Sequence, residues 1–269
     1  MWKRWRRKRL DTTPFPDTWK QILERRAPFY KALHETYRSR LEHLIRYFMA
    51  EKSFEGCGGF RLTEEHCLLI AASACVPVLG GISDIYPGLR AILVYPEVYA
   101  APYSDMSEDG VVTEGVESRS GESWEQGVVV LAWQEVRNDL RSPADGVNIV
   151  YHECAHQLDH EWGVTFSGGW DPDRLSGLSS QKKYSASDTI TLAYNRFIHG
   201  LTTRRPPPFD TYAATNLQEF FAVMSEYWFE RPSLLHRHYP ELCEVLAGFY
   251  HLPTGLLKGA QPVSTSDSP

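Results

Sequence analysis

The chain has 269 residues, of which 42% are hydrophobic and 23% charged, as is typical of a folded globular protein. Its formal net charge is −6, but six of its 28 basic residues stand within the first ten positions, so the other 22 are set against 34 acidic residues in the rest of the chain. A body with a net charge of −12 argues against direct binding to the phosphates of nucleic acid.

The basic opening, MWKRWRRKRL, is not followed by an apolar stretch, which argues against a secretory signal. No run of about 18 apolar residues predicts a membrane span. The five cysteines are odd in number, scattered and without a C-x-x-C pair, which argues against a disulfide framework and a cysteine zinc finger. A reducing compartment suits such a chain, and we expect a cytoplasmic protein.

In the first half of the chain, apolar residues at spacings of three and four predict helices over residues 17–52, divided at Pro28. Residues 63–79 are predicted to form a buried helix. The β-branched runs AILVYP (91–96) and GVVVLAW (127–133) predict two strands. The first half is therefore expected to combine helices with a small sheet.

The second half reads as helical. A long helix is predicted over residues 148–162, followed by a Gly/Ser/Pro-rich loop over 164–181. Further helices are predicted over 216–230, with Asn216 as its N-cap, and in the segment PELCEVLAGFYH (240–251). The sequence thus predicts an α+β protein, mostly helical, with a small central β-sheet.

The expected organisation is one domain between two tails. Residues 1–12 are predicted to be a flexible basic tail, and residues 259–269 are predicted to be disordered because they are polar and rich in Ser and Pro. The single domain then spans residues 13–258.

The stretch YHECAHQLDH (151–160) contains the pattern H-E-x-x-H. On a helix, His152 and His156 project from one face, one turn apart, so both imidazoles can bind one metal ion. Glu153 lies about 100° around the helix from His152, where it can take a proton from a metal-activated water. About 0.03 chance matches are expected from this composition, so the pattern favours a catalytic zinc site over paired polar residues on a surface helix.

Three neighbours of the motif have different predicted roles. Cys154 lies about 200° around the helix from His152 and is expected to be a small buried residue. His160 is too far along the axis to join the same ion, so it is expected to orient a ligand or to be exposed. Asp159 has two readings: it orients a ligand histidine through the free ring N–H, or it caps or pairs with a neighbouring element.

A catalytic zinc ion usually has three protein ligands and one open position. The extended pattern with a glycine and a third histidine is excluded, because Asp159 and Trp162 occupy those positions. The helix predicted over 216–230 offers Glu219 and Glu226 instead. Both stand among apolar residues, and a buried carboxylate is costly without a cationic partner. Spacing alone leaves the choice between them open.

The segments SGESWEQGVVVLAW, NIVYHECAHQLD and YAATNLQEFFAVMSEYWFE together resemble the Mlc titration factor A family of zinc peptidases, and the likeness covers most of residues 17–250. The resemblance implies a zincin-like peptidase domain that holds one Zn²⁺ per chain through His152, His156 and Glu219. It also implies that Tyr212 donates a hydrogen bond to the oxyanion of the reaction. Glu226 is then expected to be structural.

Two functions follow from the resemblance. The first is a zinc-dependent metallopeptidase, aminopeptidase-like or acting on small peptides, with Glu153 as general base. The second is a regulatory protein that binds and sequesters a transcription repressor similar to Mlc, with a mainly structural zinc site. The complete H-E-x-x-H favours the enzyme, because a structural site does not need Glu153 and is usually closed by a fourth protein ligand.

Overall fold

The structure is a computed structural model that describes residues 7, 8, 10–81, 84–97, 101–106, 112–117, 127–165, 185–203 and 208–258, with the backbone alone for 101–106 and 112–117. Most of the predicted tail at 1–12, the predicted loop from residue 166 onward and the predicted disordered end at 259–269 lie outside the described residues. The domain boundaries remain predictions.

The first half contains four described helices, and their ends follow local sequence signals. Pro28 occupies the first position of α2, where its missing N–H costs nothing, and so divides the first helical stretch as predicted. Thr63 caps α4 and forms a capping box with His66. The helices are α1 (Asp17–Arg26), α2 (Pro28–Ala32), α3 (Glu35–Glu51) and α4 (Glu64–Cys75).

Three parallel strands form the central sheet in the order β1-β2-β5, and both predicted strands belong to it. Its centre is β2, whose residue Ile92 pairs with Phe54 on one side and Val129 on the other. A separate antiparallel pair joins β3 to β4. The strands are β1 (Ser53–Gly56), β2 (Ala91–Tyr95), β3 (Ala101–Met106), β4 (Val112–Glu117) and β5 (Val128–Ala132).

Six described helices follow the sheet. Two of them carry the residues that matter most below: α6 contains the H-E-x-x-H pattern, and α8, which is buried from Phe220 to Glu230, packs against it. The helices are α5 (Trp133–Arg141), α6 (Ile149–Trp162), α7 (Ala186–Thr202), α8 (Leu217–Glu230), α9 (Pro232–His238) and α10 (Pro240–Tyr250). Two 3₁₀ turns, Thr211–Ala214 and Leu256–Lys258, complete the described elements.

The structure confirms the α+β prediction and differs from the sequence reading in detail. Trp133, predicted to end a strand, instead begins α5, whose apolar face buries Trp133, Val136 and Leu140. The helix α7 was not predicted, although Ser185 and Asp188 form a capping box at its start. None of the helices among the described residues has both the length and the apolar character needed to cross a membrane.

Candidate metal centre

The start of α6 is fixed by its own sequence. The side chain of Asn148 accepts a hydrogen bond from the backbone N–H of Tyr151 and so caps the helix. His152 follows one turn into α6, is 6% exposed, and projects from the same face as His156. At the other end, Gly163 adopts a left-handed conformation with φ of 68° and ends the helix.

The helix α8 brings a carboxylate to these two imidazoles. Asn216 caps α8 by accepting from the backbone N–H of Glu219, which fixes Glu219 in the first turn. Oε2 of Glu219 then lies 3.0 Å from Nε2 of His152 and 3.2 Å from Nε2 of His156. The two Nε2 atoms are 3.1 Å apart. Three atoms from two helices therefore meet at one point.

The size and chemistry of this triangle suit a small divalent cation. Tetrahedral ligands at about 2.0–2.1 Å from an ion lie about 3.3 Å from one another, close to the separations in the triangle. Two imidazole nitrogens and one carboxylate oxygen are also the donor types that zinc accepts. Among the residues that the structure describes, His152, His156 and Glu219 form the one group with metal-ligand geometry.

The electrostatics of the centre favour positive charge. Burial alone would lower the pKa of the His152 imidazole, but its contacts with Glu219 and Glu226 raise that pKa to about 10. Burial alone would likewise raise the pKa of Glu219, yet the contacts from His152 and His156 lower it to about 2. The carboxylates around His152 therefore make this point of the structure favourable for a positive charge.

A cleft of about 460 Å³ opens beside the centre and contains the other predicted catalytic residues. Glu153 lines it and is 1% exposed, while Tyr212 lines it from the 3₁₀ turn Thr211–Ala214 and is 47% exposed. The ring of Tyr212 lies 6.0 Å from the ring of His152, centre to centre. All five residues predicted for the site are thus gathered around the first half of α6.

Sequence reasoning missed the second wall of this cleft. Glu135, Asn138, Asp139 and Ser142, from α5 and its C-terminal cap, also line the cleft, and Asp139 accepts from the backbone N–H of Ile149 at the start of α6 at 2.8 Å. Their spacing of three, four and seven residues places them on one face of a helix, and that spacing is readable in the sequence. The signal was missed because Trp133 was assigned to the preceding strand.

The structure also shows the contacts of the residues near the motif. Asp159 accepts from the backbone N–H of Thr165 at 2.8 Å and from its hydroxyl at 2.6 Å, so it holds the turn after α6. Cys154 is buried and its thiol faces the carbonyl of Ala74 at 3.9 Å. His160 is exposed. Glu226 does not join the triangle and instead lies 2.8 Å from Nδ1 of His152.

Comparison with known sequences places this arrangement in a family. The profile of the glucose-regulated metallo-peptidase M90 family matches residues 2–251, a range that contains the whole candidate centre. The chain belongs to this M90 metallopeptidase family. The resemblance predicted from the motif segments is thereby confirmed, and the family implies a metal ion in the protein.

Three relatives of the M90 chain illustrate the range of similarity. An uncharacterized protein of Synechocystis sp., slr2042, is 37% identical over 253 residues, which cover 93% of this chain and 90% of that protein. Mlc titration factor A of Klebsiella pneumoniae is 30% identical, and that of Escherichia coli is 28% identical, each over 242 residues that cover 86% of this chain and 84% of theirs. The similarity therefore extends over nearly the full length of each.

Proposed function

We propose that this M90 metallopeptidase is a zinc-dependent peptidase, aminopeptidase-like or acting on small peptides, with His152, His156 and Glu219 as the ligands of one Zn²⁺ ion. The observation that carries the proposal is the approach of three ligand atoms to within 3.0–3.2 Å of one another at the edge of a cleft. When bound there, zinc would polarise a carbonyl and make water easier to deprotonate.

In the proposed reaction, Glu153 acts as general base. Its carboxylate accepts a proton from water as the water oxygen bonds to the peptide carbonyl carbon, and it returns that proton to the leaving amine as the C–N bond breaks. Burial in the wall of the cleft keeps Glu153 fixed close to His152. A fixed base next to the reacting atoms does not have to be reorganised during the reaction.

Tyr212 is proposed to stabilise the charge that develops on the carbonyl oxygen. Its phenol is a hydrogen-bond donor at neutral pH and stands at the mouth of the cleft. A donor aimed at developing negative charge strengthens in the transition state, which is the condition for catalysis. Tyr212 and residues of α5 line the same cleft, where the peptide is proposed to bind.

The test combines metal content with hydrolysis of aminoacyl and short internal-peptide fluorogenic substrates. Wild type should hold about one zinc per chain and turn over at least one substrate class. Glu153→Gln should keep the zinc and lose hydrolysis, while the matched control Glu161→Gln, two turns further along the same helix, should keep both. Turnover by Glu153→Gln comparable to that of wild type would refute the assigned base.

A second candidate function comes from the names of the relatives. Proteins 28–30% identical to this chain are called Mlc titration factor A, a name that refers to Mlc. We propose as the alternative that this chain binds a transcription repressor similar to Mlc, with the zinc site mainly structural. Co-elution with such a repressor, together with zinc but no hydrolysis in wild type, would favour it over the peptidase.

A further inference from the structure

Three glutamates of α8 lie on one face of a helix that is otherwise built for burial. Glu226 and Glu230 follow Glu219 by seven and eleven residues, which places them within about 20° of it around the helix axis. From Phe220 onward, α8 is buried, with Glu226 and Glu230 each 5% exposed. Buried carboxylates are costly unless they are hydrogen-bonded, so the contacts of this row explain its presence.

The two buried members of the row contact the start of the metal-binding helix α6. Oε2 of Glu226 accepts from the backbone N–H of Asn148 at 2.5 Å, and its Oε1 lies 2.8 Å from Nδ1 of His152. Glu230 accepts from the backbone N–H of Gly146 at 3.1 Å and from the side-chain amide of Asn148 at 3.0 Å. Only Glu226 therefore connects the helix cap to a metal-binding histidine.

The chemistry of this contact fixes the state of the imidazole. A carboxylate accepts hydrogen bonds and donates none, so the proton of His152 is held on Nδ1. The lone pair of Nε2 is then left pointing at His156 and Glu219, as metal binding requires. Glu226 also accepts from the backbone N–H of Asn148. It therefore fixes the position of the His152 ring relative to the start of α6, in addition to the position of the ring proton.

We infer that Glu226 is a positioning residue for the metal centre, which orients His152 and sets its tautomer, whereas Glu230 holds Gly146 and the side chain of Asn148. The inference rests on the metal site proposed above and adds a residue that binds no metal itself. Positioning carboxylates of this kind typically change metal affinity by 10–100-fold when they are removed.

The experiment compares two isosteric changes on the same helix face, Glu226→Gln and Glu230→Gln. Asn148 and His152 face different oxygens of Glu226, so the amide NH₂ of a glutamine at position 226 would face one of these two donors. Zinc affinity, measured by competition with a chelator, should fall 10–100-fold in Glu226→Gln and stay within about twofold of wild type in Glu230→Gln. The visible spectrum of the Co²⁺-substituted protein should change in Glu226→Gln only.

The outcomes separate this inference from the proposed function. Zinc binding by wild type with unchanged affinity in Glu226→Gln overturns the inference alone, as does an equal loss in both variants. Absence of zinc binding by wild type overturns the metal site and the inference with it. If Glu226→Gln does not fold, ¹H–¹⁵N NMR of zinc-loaded wild type decides. The hydrogen bond to Glu226 should shift the Nδ1 proton of His152 downfield and protect it from exchange, and a rapidly exchanging Nδ1 proton contradicts the inference.

Discussion

Glu219 and Glu226 approach opposite nitrogens of the same imidazole: Glu219 lies 3.0 Å from Nε2 of His152, and Glu226 lies 2.8 Å from Nδ1. One helix therefore supplies both the third candidate ligand and the group that orients the first. The packing of α8 against α6 is consequently what brings the candidate metal ligands together. Metal binding should stabilise the contact between these helices, and loss of either carboxylate should weaken binding.

Removal of the third ligand should abolish the gain in stability that zinc gives to the folded protein. Glu219→Ala removes one of the three ligand atoms and leaves only the two imidazole nitrogens. Zinc affinity should therefore fall below detection in a chelator competition. Wild type at a free zinc concentration of 100 times its Kd should gain about 2.7 kcal/mol, or roughly 5–10 °C in Tm for a domain of this size.

The measurement is thermal unfolding with and without zinc. A zinc-dependent gain in Glu219→Ala equal to that of wild type would contradict the assignment of this ligand. His199→Ala, in the last turn of α7, is the control for loss of a zinc-binding side chain outside the centre and should respond to zinc as wild type does.

The phenol of Tyr212 should contribute to turnover and little else. Tyr212→Phe removes one hydrogen-bond donor from an exposed ring, so kcat should fall about 10²–10³-fold, as for the loss of one oxyanion donor. Zinc content should be unchanged, and the free energy of unfolding should stay within about 0.5 kcal/mol of wild type. Steady-state kinetics of Tyr212→Phe test this, with Tyr37→Phe on α3 as the control variant. An unchanged kcat in Tyr212→Phe would remove Tyr212 from the mechanism.

How far the sequence predicts this site depends on the range of the interaction. The H-E-x-x-H pattern is local, so helical periodicity alone places His152 and His156 on one face. The choice between Glu219 and Glu226 is not local. Both lie on one face of α8, but seven residues separate them by about 10.5 Å along the axis, and only the docking of α8 on α6 decides which one reaches Nε2.

The fold shows the same division. The long helices and both predicted strands follow from apolar periodicity and capping residues such as Thr63 and Asn216. The boundary at Trp133 does not, because an apolar run continues from β5 into the buried face of α5 without a break. The polar residues of α5 line the same cleft as Glu153, and this placement depends on the fold and not on the local sequence.

Asp159 should matter for stability and not for the metal. Its two hydrogen bonds from Thr165 are buried, so Asp159→Ala leaves a buried donor unsatisfied and should cost about 1–3 kcal/mol of unfolding free energy. A double-mutant cycle with Thr165→Ala should give a coupling energy of at least about 0.5 kcal/mol. Zinc affinity in Asp159→Ala should equal that of wild type; a drop of tenfold or more would restore the alternative role of orienting a ligand histidine.

Glu230 should make the stability of the protein depend on pH. Burial raises the pKa of this carboxyl to about 8, helped by the nearby charges of Asp145 and Asp139 and opposed by the hydrogen bonds from Asn148 and Gly146. The unfolded chain has a carboxyl pKa of about 4.3, so the folded state holds the proton more tightly. The stabilisation is therefore fully present below about pH 4 and is lost as the pH rises through about 8.

Replacement by a neutral isostere should remove that dependence. The difference in unfolding free energy between Glu230→Gln and wild type should shift in favour of the variant as the pH rises from about 5 to 8, because only wild type must ionise a buried carboxyl. Urea unfolding at several pH values in the presence of EDTA measures it, with the exposed Glu244→Gln as a control that should show no such trend. A constant difference between Glu230→Gln and wild type across this range would mean that Glu230 keeps the same charge throughout it, and that the hydrogen bonds from Asn148 and Gly146 outweigh burial.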